Sequence, residues 1–321
     1  MDRNYTCTIS YGKLRIPVYR VYAHSLVGIN PIPESAFTAR ANTLFALEVD
    51  VEVFGNNFLP AYTEGDNSQV VATDSMKNFV LRQALAFTGS TLEDLLAWLG
   101  KRFLTTYEQM QSLRLTAREL PFAPVALPGN AVDTLPQASQ VLFSRSHNAF
   151  AQASMTFARD EQQKPGITSH RCSLVDLELF KVTGSAFTRF VRDEYTTLPE
   201  REDRPLFIHL DVSWTYKEST ALTSADHALY VPAEQVRDLI QVVFDEFVSE
   251  SIQHLVYEFG CRLLERFPQL ASVTFDAQNR TRDLVVAAEN NGKEKVYSDP
   301  FTAFGSIRLT LANPHVSENG S

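Results

Sequence analysis

The chain has 321 residues, 44% of them apolar, a formal net charge of −9 and a pI near 5.3. That is enough for one large domain or two of ordinary size around a sizeable core, while the acidic balance and the lack of any basic run argue against nucleic acid as a partner. No apolar stretch reaches the roughly 18–20 residues of a membrane span, Met1-Asp2-Arg3-Asn4-Tyr5 lacks a signal-peptide core, and Cys7, Cys172 and Cys261 are too scattered for a disulfide framework, so they read as reduced thiols of a cytoplasmic protein.

In chain order, Gly12-Lys13 opens a segment of alternating texture from Leu14 to Tyr19. Leu47, Val49, Val51 and Val53 then alternate with Glu48, Asp50 and Glu52, which predicts a strand with one covered face. Val70-Val71 reads as the end of a strand running straight into Thr73-Asp74-Ser75 and a helical pattern. A hydroxyl, a carboxylate and a helix N-terminus would meet there. Such a place suits a small anionic or polar ligand, although Thr73, Asp74 or Ser75 would equally serve as a plain cap. A second helix follows over residues 91–104 and a strand over 112–115. Pro121, Pro124, Pro128, Gly129 and Pro136 then mark either a long hairpin or the join between two halves.

Beyond that join the pattern returns at an offset of 160 residues. Apolar positions 92, 95, 96, 99 and 103 recur without a gap as 252, 255, 256, 259 and 263, one helix face written twice. Met76, Phe79 and Val80 match Val236, Leu239 and Ile240, and Ser112-Leu113-Arg114-Leu115 matches Ser272-Val273-Thr274-Phe275. Ile208, Leu210, Val212 and Trp214 repeat the alternating strand. Each half reads strand, strand, helix, helix, strand, strand. That order predicts an α+β fold of two domains, 1–138 and 139–321, each an antiparallel sheet with a helix pair on its apolar face. The polar last eight or so residues should be disordered.

No His-Glu-x-x-His, Cys-x-x-Cys or clustered histidine pair signals a metal. Gly-x-Gly-x-x-Gly, a phosphate-binding loop and Gly-x-Ser-x-Gly are also missing. An enzyme with this sequence would work without metal, nucleotide or covalent nucleophile.

Four blocks together resemble the urate oxidases, the bacterial type most of all: Tyr11-Gly12-Lys13, residues 71–78, residues 187–204 with Asp193-Glu194-Tyr195-Thr196-Thr197-Leu198, and Ser251-Ile252-Gln253. The resemblance implies two tandem tunnelling-fold (T-fold) domains and homotetramers with active sites shared between subunits. It also implies oxidation of urate by dioxygen with no cofactor and no metal. Position by position, Arg204 resembles the arginine that grips urate through a planar fork, which suits a flat anion better than an ammonium does. Its plain alternative is an ion pair with Glu202 or Asp203. Gln253 resembles the glutamine on the opposite edge, Phe187 the stacking ring, and Leu198 and Ile252 the apolar wall. Thr73 and Asp74 resemble the pair supplied by a neighbouring subunit, and Lys13 the general base, with Thr73 relaying the proton. Asn279 resembles the asparagine that holds dioxygen. The family pattern places a histidine just after it, where this chain reads Asn279-Arg280-Thr281. Another purine- or pterin-handling T-fold enzyme, or a non-catalytic purine-binding T-fold protein, are the alternatives.

Overall fold

The computed structural model describes residues 5–128, 137–290, 292–298 and 302–314. Gly129 and Pro136 of the proline-rich join, and the tail from His315 on, lie outside the described residues.

The first half contains β1 (Ser10–Val21), β2 (Leu44–Phe54), α1 (Leu59–Thr63), α2 (Thr73–Ala86), α3 (Leu92–Thr106), β3 (Ser112–Glu119), β4 (Phe122–Leu127), β5 (Gln137–Arg145) and β6 (Phe150–Arg159). The second contains β7 (Pro165–Lys181), β8 (Leu206–Tyr216), α4 (Thr220–Thr223), α5 (Ala233–Glu246), α6 (Ile252–Arg266), β9 (Leu270–Asn279), β10 (Asp283–Ala287), β11 (Lys295–Ser298) and β12 (Gly305–Ala312).

The expected duplication is present down to single residues. Helices α2 and α5 are both 14 residues long, α3 and α6 both 15, and each pair begins 160 residues apart. On either side of the undescribed residues of the proline-rich stretch, β4 pairs with β5 antiparallel from Phe122 opposite Arg145 to Leu127 opposite Gln137. The second half has its counterpart in β10 and β11. Residue 138, where the sequence reading divides the chain, lies within β5.

The chain folds into two compact units. One holds the residues up to Asn30, Thr38–Cys172 and Glu218–Tyr230; the other holds Pro31–Phe37, Ser173–Lys217 and the described residues from Val231 on. In the first, the strand order is β1-β2-β3-β6 and then the start of β7; α2 lies on β1, and α3 on β3 and β6. In the second, the end of β7 is followed by β8-β9-β12, with α6 on β9 and β12 and α5 against α6. All pairings that bear on the site are antiparallel.

Alternation explains each sheet. In β2, Val49, Val51 and Val53 are fully buried beneath the helices while Glu48, Asp50 and Glu52 stay partly open. In β8, Ile208, Leu210, Val212 and Trp214 do the same. Helix and sheet approach closely through a duplicated glycine: a Cβ on Gly100 would sit 2.5 Å from the Phe157 ring, and one on Gly260 2.3 Å from Leu311. Both long second helices are capped alike. The Thr91 hydroxyl accepts from the Asp94 N–H at 3.1 Å, and the Ser251 hydroxyl from the His254 N–H at 3.1 Å.

Candidate active site

The residues singled out in the sequence fall into two clusters, one in each unit. In the first unit, Lys13 lies on β1 immediately after Gly12, which passes so close to β2 that a Cβ would meet the Val51 carbonyl oxygen at 1.8 Å. The ladder then breaks between Lys13 and Ile16. Arg15 turns into the left-handed region at φ 55°, and its N–H donates to an Asp50 carboxylate oxygen at 2.6 Å. This bulge sets the half-buried Lys13 against the start of α2.

That start differs from its sequence reading in two ways. No strand precedes it. Val70 and Val71 come off a turn, with the Val70 N–H donating to the Asn67 carbonyl at 3.0 Å. Val71 is apolar because it is buried, and its N–H donates to the Tyr11 hydroxyl at 3.1 Å where a ladder would have used a carbonyl. The Tyr11 ring in turn stands edge-on to Phe58 at 5.1 Å. Second, neither Thr73, Asp74 nor Ser75 caps the helix. Ala72 holds the N-cap position, and no side chain accepts from the first turn. A helix start with orphan N–H donors and no cap retains its full attraction for an anion. Asp74 is exposed and turned to Lys77 and to the Asn78 amide at 3.0 Å. Lys77 holds its carboxyl below the usual range, with smaller help from Asn78 and from Lys13, which is within electrostatic reach.

In the second unit a short extended segment carries the rest. Phe187 pairs with Arg201 through reciprocal backbone bonds of 2.8 and 3.0 Å. On the other side the Ala186 N–H donates to the Ser249 carbonyl at 2.7 Å, just before the cap of α6. The Arg204 N–H donates to the Ser185 carbonyl at 2.8 Å. One stretch of backbone therefore ties Phe187, Arg204 and the α6 start, with Ile252 and Gln253, into one neighbourhood. Ile252 is buried and Gln253, beside it, is exposed. The Phe187 ring stacks on Phe190 at 4.9 Å, and the Arg204 guanidinium carbon lies 5.2 Å from its centroid. Leu198 sits on the exposed loop, its carbonyl accepting from Arg192 at 3.3 Å.

Arg204 forms no ion pair with Glu202 or Asp203 among the described residues. The Asp203 carboxylate is taken by the Thr183 hydroxyl at 2.7 Å and the Gly184 N–H at 2.8 Å. The Arg204 Nε is buried and without a partner, and burial lowers its pKa from the ordinary value. Asn279 ends β9, facing Ile208 of β8 on one side and Gly305 of β12 on the other. Its Oδ1 is also buried without a partner. Among the described residues Glu34 Oε2, Trp98 Nε1, Arg118 Nε, Trp214 Nε1 and Arg280 Nε share this condition. At the place of the missing histidine, Thr281 is exposed. Arg280 folds back on Gln278 at 2.7 Å and over the Phe304 ring at 4.5 Å. Sequence reasoning gave no role to Tyr11 or to the Asp50-held bulge. Tyr11 belongs to the Tyr11-Gly12-Lys13 segment, but an Arg and an Asp in two alternating strands carry no mark of a bulge.

Twice over, an antiparallel sheet with a helix pair on one face follows the same element order, and this defines an α+β protein of two tandem T-fold domains. The chain belongs to the uricase family, whose model, described as Uricase, matches residues 51–155 and 170–308. The uricase of Haloferax volcanii is 48% identical over 310 residues, covering 97% of this chain and 100% of that one. The uric acid degradation bifunctional protein of Bacillus subtilis is 43% identical over 95% of this chain, which spans 61% of that longer protein. The structure of urate oxidase from Bacillus sp. TB-90 superposes with a TM-score of 0.91 at 40% identity, covering 95% of this chain and 100% of that one.

Proposed function

We propose that this protein oxidises urate with dioxygen and water to 5-hydroxyisourate and hydrogen peroxide, without cofactor or metal. The observation that carries this reading is the Phe187–Arg204 pair, a ring and a guanidinium 5.2 Å apart, tied by backbone bonds to the start of α6 with Ile252 and Gln253. Urate is an anion with alternating donors and acceptors on its edges. Arg204 and Gln253 grip it from two sides, Phe187 stacks on it, and Leu198 and Ile252 form the wall. Lys13, set by the bulge, removes a proton through Thr73 and leaves an electron-rich dianion. The uncapped start of α2, with Thr73 and Asp74, supplies N–H donors to that added charge. Two electrons pass from the ring to dioxygen held at Asn279, the ring carbon takes a hydroxyl from water, and peroxide leaves. The protein's contribution is position and electrostatics. With Thr281 in place of the family histidine, the relay runs on Lys13 and Thr73 alone.

The working form in this reading is a homotetramer, with Thr73 and Asp74 reaching a neighbouring subunit's site. β1 and β12 stand last in the strand order, and β1 exposes Leu14, Tyr19 and Val21, which supports assembly through sheet edges. A cytoplasmic setting fits a chain in which no described helix is long and apolar enough to cross a membrane.

The test mixes chelator-treated protein with urate in air and follows urate absorbance together with peroxide. Equal loss of urate and gain of peroxide is expected. Activity restored only by added metal, or saturable urate binding without peroxide, would overturn the proposal.

A further inference from the structure

Val71 is buried two residues ahead of Thr73, the first residue of α2, and it belongs to no strand that could receive its N–H. A buried N–H left without a partner is costly, so an acceptor has to come from elsewhere. It is the Tyr11 hydroxyl oxygen, 60 residues away on β1. Tyr11 and Lys13 stand two apart on that strand. They pair with Val53 and Val51 of β2, both fully buried beneath the helices, so both side chains leave β1 on the helix side. Gly12, between them, is pressed onto the Val51 carbonyl. Lys13 is close enough to the α2 start to help hold the Asp74 carboxyl below its usual range. The Tyr11 ring is itself anchored. Phe58, fully buried, meets it edge-on at 5.1 Å, and the Tyr62 hydroxyl of α1 donates to the neighbouring Ser10 carbonyl at 2.8 Å. Burial raises the Tyr11 pKa above its ordinary value, so the hydroxyl stays neutral at neutral pH.

The second unit meets the same need from another direction. Val231, 160 residues on from Val71, also lies two residues ahead of its helix, α5, and its N–H donates to the Tyr216 hydroxyl at 2.8 Å. Tyr216 comes from the end of β8, the counterpart of β2, whereas Tyr11 comes from β1. A phenol at the entry to the first long helix therefore recurs in the repeat, while its source does not. In the first unit it stands on the strand that bears the proposed base.

We propose that Tyr11 is a positioning residue for the proton relay: by tethering the Val71 N–H it holds the uncapped start of α2, and Thr73 with it, at a fixed reach from Lys13. One short segment of β1 carries both the base and the tether, so the two ends of the relay keep their spacing when the strand moves. The hydroxyl acts through Thr73 and Lys13 and not on urate. This role rests on the urate reading of the site, whereas the tether itself does not.

Tyr11→Phe keeps the ring against Phe58 and removes only the acceptor. Its kcat for urate should fall about tenfold while KM moves by less than about twofold, since ground-state urate is held by Arg204 and Gln253. In a Lys13→Met background the same substitution should cost nothing further, because no base is left to position. Tyr216→Phe, which removes the equivalent bond in the second unit, should lower the melting temperature and leave kcat unaltered. Amide hydrogen exchange reads the tether without any substrate, and the Val71 amide should exchange faster in Tyr11→Phe than in the wild type. Unaltered exchange would overturn the tether whatever the protein oxidises. Faster exchange with full kcat, the same fall of kcat in the Lys13→Met background, or a like fall in Tyr216→Phe would overturn the positioning role. A wild type that consumes no urate would instead remove the urate reading, and the role of Tyr11 in it, while the exchange result still judged the tether.

Discussion

Glu93 and Gln253 hold the same place in the repeat, each the second residue of its helix behind a hydroxyl cap, yet their surroundings are opposite. Glu93 is buried, and its carboxylate accepts from the Tyr230 hydroxyl at 3.0 Å. Burial pushes its pKa from 4.5 up to about 7, with the Asp94 charge adding to the rise and Tyr230 and Cys172 opposing it. Gln253 is exposed beside Phe187 and Arg204. A duplicated scaffold has closed one helix start with its own side chains and left the other open. The open copy lies at the helix start that backbone bonds tie to Phe187 and Arg204. The closed copy carries its tension as a titratable acid inside the fold.

Five substitutions would break or sharpen that contrast. The largest effect is expected from Lys13→Met, which should lower kcat by on the order of 10³, about 4 kcal/mol, and barely move KM. A raised KM with normal kcat would make Lys13 a binding residue.

Next is Glu93→Gln. A carboxyl whose pKa is raised on folding stabilises fully below its unfolded value of 4.5, and that contribution is lost as pH rises through about 7. The wild type should lose about 3 kcal/mol across that window relative to Glu93→Gln, which keeps an acceptor for Tyr230. Thermal unfolding of both proteins at pH 5 and pH 8 reads the difference. Parallel pH profiles would show that Glu93 is already ionised at pH 5.

Gly12→Ala should cost roughly 1–3 kcal/mol, because its Cβ has nowhere to go against the Val51 carbonyl. Denaturant unfolding tests this, and an unchanged midpoint would mean that β1 can lift from β2 without cost. The smallest effects are expected from Thr91→Ala and Ser251→Ala, about 1 kcal/mol each. Their near equality in melting experiments would show that the two helix starts differ in ligand chemistry and not in capping.

Much of this architecture was legible in the sequence because core packing writes its own period. The ungapped match of 91–104 with 251–264 predicted two equal helices, and the alternation of Leu47 to Val53 predicted a one-face-covered strand. What the period could not show depends on partners distant in sequence. Val70-Val71 looked like a strand end, since burial demands apolar residues whatever the backbone does; the deciding contact is a phenol 60 residues away. Thr73 looked like a cap by residue type, while Ala72 holds that position. Glu93 looked like an ordinary helix-start acid until Tyr230, 137 residues on, closed over it. Arg204 and Gln253 were marked only by resemblance to a family, as spacing alone left both as surface residues.

The bulge of β1 has a counterpart. In β7, Asp176 also turns left-handed at φ 58°, and its N–H donates to an Asp211 carboxylate oxygen at 2.9 Å. A smooth strand can slide two residues along its neighbour and still show the same faces. A left-handed kink clamped by a carboxylate fits at one setting only. In both halves the opening strand is therefore keyed to the strand beside it, and only one of the two keys has a lysine next to it. The reach of that lysine is fixed by Asp50. Without the clamp, Lys13 would keep its place in the chain and lose its place in space.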